Sequence, residues 1–397
     1  MLAGMIDTVI FMMSFVLVLS FLVYFHELGH YSVARFFNVA VERFSIGFGK
    51  PLAQWTAKNG THWSVGRIPL GGYVKFLGDA GAASNPDVEA LDELKSQFED
   101  DESVAISDIF HFKPLWQRAL VVLAGPVFNF VLAVFIFAGL GLAFGSFTVE
   151  SLVGEVQKGS AAEKAGILPG DRILTMDGKD VSQFSDMRKY VVLKSNNVID
   201  TVIDRNGDRI ELKLTPQRVV EKDFLGGSSS TGKIGIANSE DAEIIPIKFN
   251  PLTAVGFGIR EVRDTIGMTA TYIGRIFTGK EDGKQLGSVV KIATMTGKTA
   301  VDAARADVSL NERIRLLTIR LLSIAASLSI ALGFANLMPI PVLDGGHLLY
   351  YGYEAIAGRP LSQKKQEFGF RLGFALLLTL FVILTVNDIG YVASMFS

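Results

Sequence analysis

Residues 8–25 contain no charged side chain, and this apolar run closes directly on Phe25-His26-Glu27-Leu28-Gly29-His30. A run of that length and composition suits a membrane span better than a soluble domain. On a helix, His26 and His30 stand four residues apart and share one face, which fits two imidazole ligands on a zinc ion. Glu27 lies beside them, placed to take a proton from a water held by the metal. Two imidazoles and a carboxylate at that depth are costly unless they do chemistry. The plainer alternative is a helix end whose His and Glu face water.

Composition agrees with a membrane protein that carries a soluble part. Of 397 residues, 49% are hydrophobic and 20% charged, and the mean hydropathy is +0.35. A net charge of −2 gives no electrostatic footprint for a nucleic-acid partner. Cysteine is absent, which removes disulfides and thiolate metal sites and leaves His and carboxylate as the strong ligands.

Four uncharged runs qualify as spans: 8–25, 119–147, 321–343 and 372–387. The first and last are short against the roughly 20 residues a bilayer requires, though flanking side chains can snorkel. The first run also has the length of a signal peptide. Residues 1–7 hold no Lys or Arg, however, and no small-residue cleavage site follows, so it is expected to be retained. The connection between spans three and four carries Arg359, Lys364, Lys365 and Arg371. The one between spans one and two starts with Arg35 and Arg43 and ends with Lys113 and Arg118. By the positive-inside rule both connections are cytoplasmic, and the acidic run 79–108 does not oppose this. Both termini and the segment 148–320 are then expected outside the cytoplasm.

In that topology spans one and three run in the same direction, so a third metal ligand should come from the cytoplasmic end of span three. That end reads Asn336-Leu337-Met338-Pro339-Ile340-Pro341-Val342-Leu343-Asp344-Gly345-Gly346-His347, with two prolines that must break the helix. Asp344 stands there at matching depth. His26, His30 and Asp344 would leave a fourth position for water, as a catalytic zinc requires. Alternatively, Asp344 only caps a helix or starts a turn. His347 is a lesser substitute, better suited to sit behind the ligands.

The pair His-Glu-Leu-Gly-His and Asn-Leu-Met-Pro-Ile-Pro-Val-Leu-Asp-Gly-Gly, each on a span and separated by a soluble segment, resembles the site-2 protease family of intramembrane zinc metalloproteases. The likeness is strongest to its bacterial branch, typified by the regulator of sigma-E protease. The resemblance implies Zn2+ as cofactor, His26, His30 and Asp344 as its ligands, and Glu27 as general base. It also places Asn336, Pro339 and Pro341 along the substrate path.

Ala124-Gly125-Pro126-Val127-Phe128-Asn129 on span two resembles the family's Gly-Pro-x-x-Asn element, which makes Asn129 a candidate substrate or oxyanion contact. A kinked, closely packed helix explains the same residues. Residues 44–49 and 62–76 alternate apolar residues with glycine and read as strands and turns. In the family this region is a β-hairpin dipping into the membrane near the metal. An exposed strand edge there, at Gly71 and Gly72, could pair with an unwound substrate. An ordinary cytoplasmic hairpin fits the pattern equally well, since alternation does not reveal depth.

The outside segment holds one compact domain. Val153-Gly154-Glu155-Val156 reads as a strand and Ser160 to Gly166 as a short capped helix. Residues 185–193 read as an amphipathic helix, and Asn206-Gly207 as a hairpin turn. The run Gly-Ser-Ala-Ala-Glu-Lys-Ala-Gly-Ile-Leu-Pro-Gly-Asp resembles a bacterial PDZ domain, which binds peptide ends by strand addition. The likeness suggests Gly232, Ile234, Gly235 and Ile236 as the carboxylate-binding loop; a plain strand is equally compatible. The chain has room for one PDZ domain, where the sigma-E regulator type carries two. From Pro251 to about Phe277 a helix is expected, lying on the membrane surface or packing on the PDZ domain.

The expected fold is therefore an α-helical polytopic membrane protein of four transmembrane helices with an inserted α+β PDZ domain and a membrane-associated β-hairpin. The expected segments are 1–37, 115–147, 321–350 and 371–397 as spans, with cytoplasmic loops at 38–114 and 351–370. The PDZ domain takes 148–240 and the amphipathic helical region 241–320. The expected activity is zinc-dependent cleavage, in the lipid bilayer of a bacterial inner membrane, of single-span membrane protein substrates. By the resemblance these are pre-trimmed anti-sigma factors and signal-peptide remnants. The competing reading is an inert membrane-anchored PDZ scaffold; a metal transporter is harder to build from four spans with no further intramembrane acid.

Overall fold

The computed structural model describes residues 2–79, 106–181, 183–222, 228–281, 283 and 286–394. The part of the acidic run from 80 to 105 lies outside the described residues. The chain divides into two compact units, one of Met1–Phe137, Gly258–Val262 and Ile292–Ile383, the other of Ala138–Phe257, Arg263–Lys291 and Leu384–Ser397.

The first unit opens with helix α1 (Leu2–Phe36), which carries the uncharged run and then continues through the His-Glu motif to Arg35 in its last turn, where a cation favours the helix dipole. The strands β1 (Val41–Thr56) and β2 (His62–Phe76) follow as an antiparallel pair. The ribbon folds over itself, so that Phe44 lies opposite both Val74 and Trp63. Positive φ angles at Gly47, Gly49 and Gly71 permit those bends. Phe44 is fully buried and stacks on Trp63 with ring centres 4.1 Å apart. Together with Ala34, Val74, Phe76 and Val121 it forms the core beside α1. The far end of the ribbon instead exposes Phe48, Leu52, Trp55 and Ile68. Helix α2 (Leu115–Phe144) then carries Pro126 within it.

In the second unit, Gly145 turns the chain from α2 into β3 (Ser146–Val149). There follow β4 (Val153–Val156), α3 (Ala161–Ala165), β5 (Arg172–Met176), β6 (Lys179–Asp180), α4 (Phe184–Val192), β7 (Ile199–Arg205), β8 (Asp208–Leu214), β9 (Gln217–Lys222), β10 (Ser228–Lys233), β11 (Ile236–Asn238) and β12 (Ile244–Ile247). One sheet has the order β6-β5-β7-β8, and β11–β4, β12–β3 and β10–β9 form separate pairs. The local chemistry follows the sequence. The Ser160 hydroxyl accepts from Glu163 N to cap α3, and Gly166 ends it in the left-handed region. Asn206 and Gly207, both at positive φ, turn β7 into β8. Ile173, Met176, Ile199, Ile203 and Leu214 are completely buried between the sheet and α4, which turns Met187 and Val191 inward. Burial alone would raise the Asp177 carboxyl, but hydrogen bonds from Tyr190, Asp200 N and Lys194 outweigh it and hold it below the usual carboxylate range. Helix α5 (Pro251–Phe277) starts under a reciprocal cap between Asn250 and Thr253.

Helices α6 (Val289–Ala304), α7 (Leu310–Asn336), α8 (Asp344–Ala357) and α9 (Gln363–Ser394) complete the chain. The segment 321–350 contains the break expected at its two prolines. Helix α7 begins earlier, because Ser309 caps it by accepting from Glu312 N, and stops at Asn336. The chain restarts as helix at Asp344, after a break that contains Pro339, Pro341 and a Val342 at φ 112. Among the described residues, four helices are long and apolar enough to cross a membrane: Met5–Phe36, Leu115–Phe144, Leu310–Asn336 and Gln363–Gly390. They are 27 to 32 residues long, so the shortness of the first and last uncharged runs disappears once the flanking turns are counted.

Candidate metal centre

Helical spacing alone brings the two imidazoles together. The Nε2 atoms of His26 and His30 stand 3.3 Å apart, one turn from each other on α1. Asp344, at the first position of α8, reaches the same point: its Oδ2 lies 3.3 Å from His26 Nε2 and 3.6 Å from His30 Nε2. Among the described residues these three form the group of His, Cys, Asp or Glu side chains able to hold a metal ion, with one ligand atom each within 4.8 Å of the others.

Two features test whether this donor set fits a zinc ion. Asp344 Oδ2 is buried and accepts no hydrogen bond, which is expensive for a carboxylate oxygen unless a cation meets it. His30 Nδ1 lies 2.9 Å from the carbonyl of Val121, so the tautomer that donates there leaves Nε2 with its lone pair toward Asp344. Two neutral imidazoles and a carboxylate are the donors of a catalytic zinc site with one position open. The residues fit the metal.

Glycine makes the approach possible. A Cβ at Gly125 of α2 would run into the His30 ring, and one at Gly29 would strike the Ala124 carbonyl. Gly345 and Gly346 let the start of α8 lie against the carbonyls of Leu337, Met338 and Ile340, where a methyl group has no room. This holds Asp344 at the end of a broken strand of chain whose Val342, a β-branched residue at positive φ, is strained. Neither Val342 nor Val121 was singled out from the sequence, because a backbone carbonyl and a backbone angle leave no motif.

Glu27, 9% exposed, lies on a cavity wall with Val74 of β2. A Cβ on Gly72 would come within 3.0 Å of the Glu27 side chain and 2.8 Å of Val23. So β2 lies directly on the Glu27 face of α1. A cavity of about 300 Å3 joins these parts; its walls include His26, Glu27, His30, Gly71, Gly72, Asn336, Asp344 and His347. Asn336 Nδ2 is 3.5 Å from His26 Nε2.

The other candidates are placed differently. Asn129 is fully buried behind His26, with its amide 3.0 Å from Nδ1, and does not line the cavity. There it touches the His26 imidazole. Pro339 and Pro341 are absent from the cavity wall as well, and Pro341 packs beneath Gly373 of α9. In the second unit, Gly232 is buried in β10 and Ile234 sits in the core. The Gly235 carbonyl accepts from Gln157 N, and Ile236 pairs with Val156.

Comparison with known proteins agrees with this geometry. Residues 14–380 match the Peptidase family M50. Metalloprotease MmpA of Caulobacter vibrioides is 41% identical over 391 residues, 97% of each chain. A protein of Rhizobium meliloti named as a zinc metalloprotease is 40% identical over 95% of this chain and 96% of its own. Another of Agrobacterium fabrum is 40% identical over 96% of both. The chain belongs to peptidase family M50, the site-2 protease family, and is a membrane zinc metalloprotease.

Proposed function

We propose that this M50 peptidase is an intramembrane endopeptidase that cuts peptide bonds within the membrane-spanning segments of single-span proteins. The observation that carries the reading is the shared cavity of His26, Glu27, His30 and Asp344, the first three on a helix able to cross a membrane and Asp344 just past the end of another. His26, His30 and Asp344 would hold the zinc. Bound there, zinc supplies Lewis-acid polarisation of the scissile carbonyl and of the attacking water. Glu27 would take a proton from the attacking water and deliver it to the leaving amine. The substrate helix must unwind first, because its peptide bonds are tied up in their own hydrogen bonds. The edge of β2 at Gly71 and Gly72 offers main-chain partners to the unwound strand. Asn336, on the same cavity wall, satisfies freed main-chain groups.

The exposed Phe48, Leu52, Trp55 and Ile68 support a ribbon end that sits in the lipid. The charge distribution supports an inner membrane placement with both termini and residues 148–240 outside and the metal centre toward the cytoplasm. In this reading 148–240 is a PDZ domain that screens single-span substrates. These are already trimmed outside, as anti-sigma factors are, and include signal-peptide remnants. The deciding experiment is Glu27→Gln in proteoliposomes with a single-span substrate. Zinc is retained and cleavage is lost; cleavage at the parent rate would instead mark the motif as inert and leave the chain a peptide-binding scaffold.

A further inference from the structure

One face of α2 meets the metal centre at three levels and then continues to a fourth. Asn129 sets its amide 3.0 Å from Nδ1 of His26, Gly125 leaves room for the His30 ring, and the Val121 carbonyl lies 2.9 Å from Nδ1 of His30. Arg118 stands one turn further back on this face, since the four positions follow at intervals of three, four and four residues. Its Nη2 donates to Glu354 Oε1 of α8 at 2.5 Å, and its Nε donates to the Lys113 carbonyl at 3.1 Å. The guanidinium also lies 5.1 Å from the centre of the Tyr351 ring. Both side chains of the ion pair are largely buried, at 14% and 18% exposed. A guanidinium held from three sides is a fixed anchor, which a lone surface pair is not.

Helix α8 needs such an anchor. Residues 337–343 are not helical, so α7 does not carry Asp344 rigidly to its place. Where the third ligand stands is set by how α8 docks. Asp344, Leu348, Tyr351 and Glu354 follow at intervals of four, three and three residues, which puts them on one face of that helix. Leu348 and Tyr351 pack on the core that includes Val121 and Val122 of α2. Apolar contacts are non-directional and by themselves let a helix slide or turn slightly. The Arg118–Glu354 pair supplies the missing direction. It sits about 15 Å along α8 from Asp344, so a tilt or turn permitted at that end displaces the ligand oxygen at the other.

We propose that Arg118 is a positioning residue for the third metal ligand: through Glu354 it fixes α8, and so sets the Asp344 carboxylate against His26 and His30. One face of α2 thereby places all three donors, His26 through Asn129, His30 through Val121 and Asp344 through Arg118. The inference rests on reading His26, His30 and Asp344 as the zinc ligands. A simpler role for Arg118, as a cation at the membrane surface, makes a different demand. A surface cation is replaceable by Lys, whereas a planar fork bridging Glu354 and a carbonyl is not.

The test is zinc affinity of the full-length protein in detergent, measured by chelator competition. Beside it stands the visible spectrum of the cobalt(II)-loaded form, which reports ligand geometry. Arg118→Ala and Glu354→Ala are each expected to weaken zinc binding about tenfold and to change the cobalt spectrum alike. The double variant should bind no more weakly than the weaker single one, because either change frees the same helix. Arg118→Lys should fall between Arg118→Ala and the parent. Should the alanine variants unfold, Arg118→Lys decides alone, with zinc binding about threefold weaker than in the parent expected. Parent-like affinity and cobalt spectrum in the folded variants overturn the proposal, and so do losses that multiply in the double variant. A parent that holds no zinc would overturn the ligand set itself.

Discussion

Asn129 sets its side-chain amide 3.0 Å from Nδ1 of His26, and both groups are buried. With Nδ2 facing the ring, Asn129 Oδ1 is left without a partner. A half-turn of the amide places Oδ1 where it accepts from a protonated Nδ1, the tautomer that leaves Nε2 free for metal. The Ser329 hydroxyl donates to the Asn129 carbonyl at 2.8 Å and helps fix this stretch of α2. Asn129 therefore orients a ligand.

The first prediction follows from that contact. Asn129→Ala should weaken zinc binding by about 10- to 100-fold, the usual cost of removing a group that orients a ligating imidazole. Asn129→Asp, which keeps an acceptor on Nδ1, should recover most of it. Chelator competition on the purified protein measures both, and equal affinity in all three proteins would remove Asn129 from the metal centre.

Asp344 and His347 share the first turn of α8 and can be told apart. Asp344→Ala should strip most of the zinc and abolish cleavage, since it deletes the oxygen that lies nearest both imidazoles. His347→Ala should keep metal bound. The reverse pattern would mean that His347 is the third ligand.

Two glycines separate metal binding from substrate handling. Gly125→Ala forces a methyl group into the His30 ring and should lower zinc content. Gly72→Ala crowds Glu27 and the Ser45 carbonyl at 2.8 Å, so it should retain zinc and lose turnover. Metal analysis beside a cleavage assay reads both; loss of zinc in Gly72→Ala would show that β2 supports the metal rather than the base.

Much of this centre was legible in the chain. His26 and His30 announce themselves because helical periodicity fixes their spacing, and Asp344 because two prolines mark the break before it. Ser160, Gly166 and Asn206-Gly207 were equally readable, since caps and tight turns depend on local chemistry. Where α7 starts was not, because the cap at Ser309 lets a helix run past Arg313 and Arg315 into the apolar stretch. That Asn129 meets His26 was not readable, because which face of α2 packs there is decided at Gly125. The buried hydrogen bonds from Ser195 and Arg275 to Glu281 left no trace, since these residues meet only after the chain has folded.

Removing residues 150–240 should leave the chemistry intact. Among the described residues, those lining the cavity around Glu27 lie outside 148–240. Replacing 150–240 by a flexible linker should spare zinc binding and cleavage of a pre-trimmed substrate, and should admit a substrate whose external domain is whole. If the shortened enzyme still rejects the untrimmed substrate as strongly as the parent, selection lies in another part of the chain.

Zinc content of the purified protein tests the central claim most directly. One zinc per chain is expected in the parent and in Glu27→Gln, and well under a tenth of that in His26→Ala, His30→Ala and Asp344→Ala, each checked for retained fold. Full zinc in any of those three would contradict the assigned ligand set, and loss of zinc in a folded Glu27→Gln would contradict the separation of base from ligands.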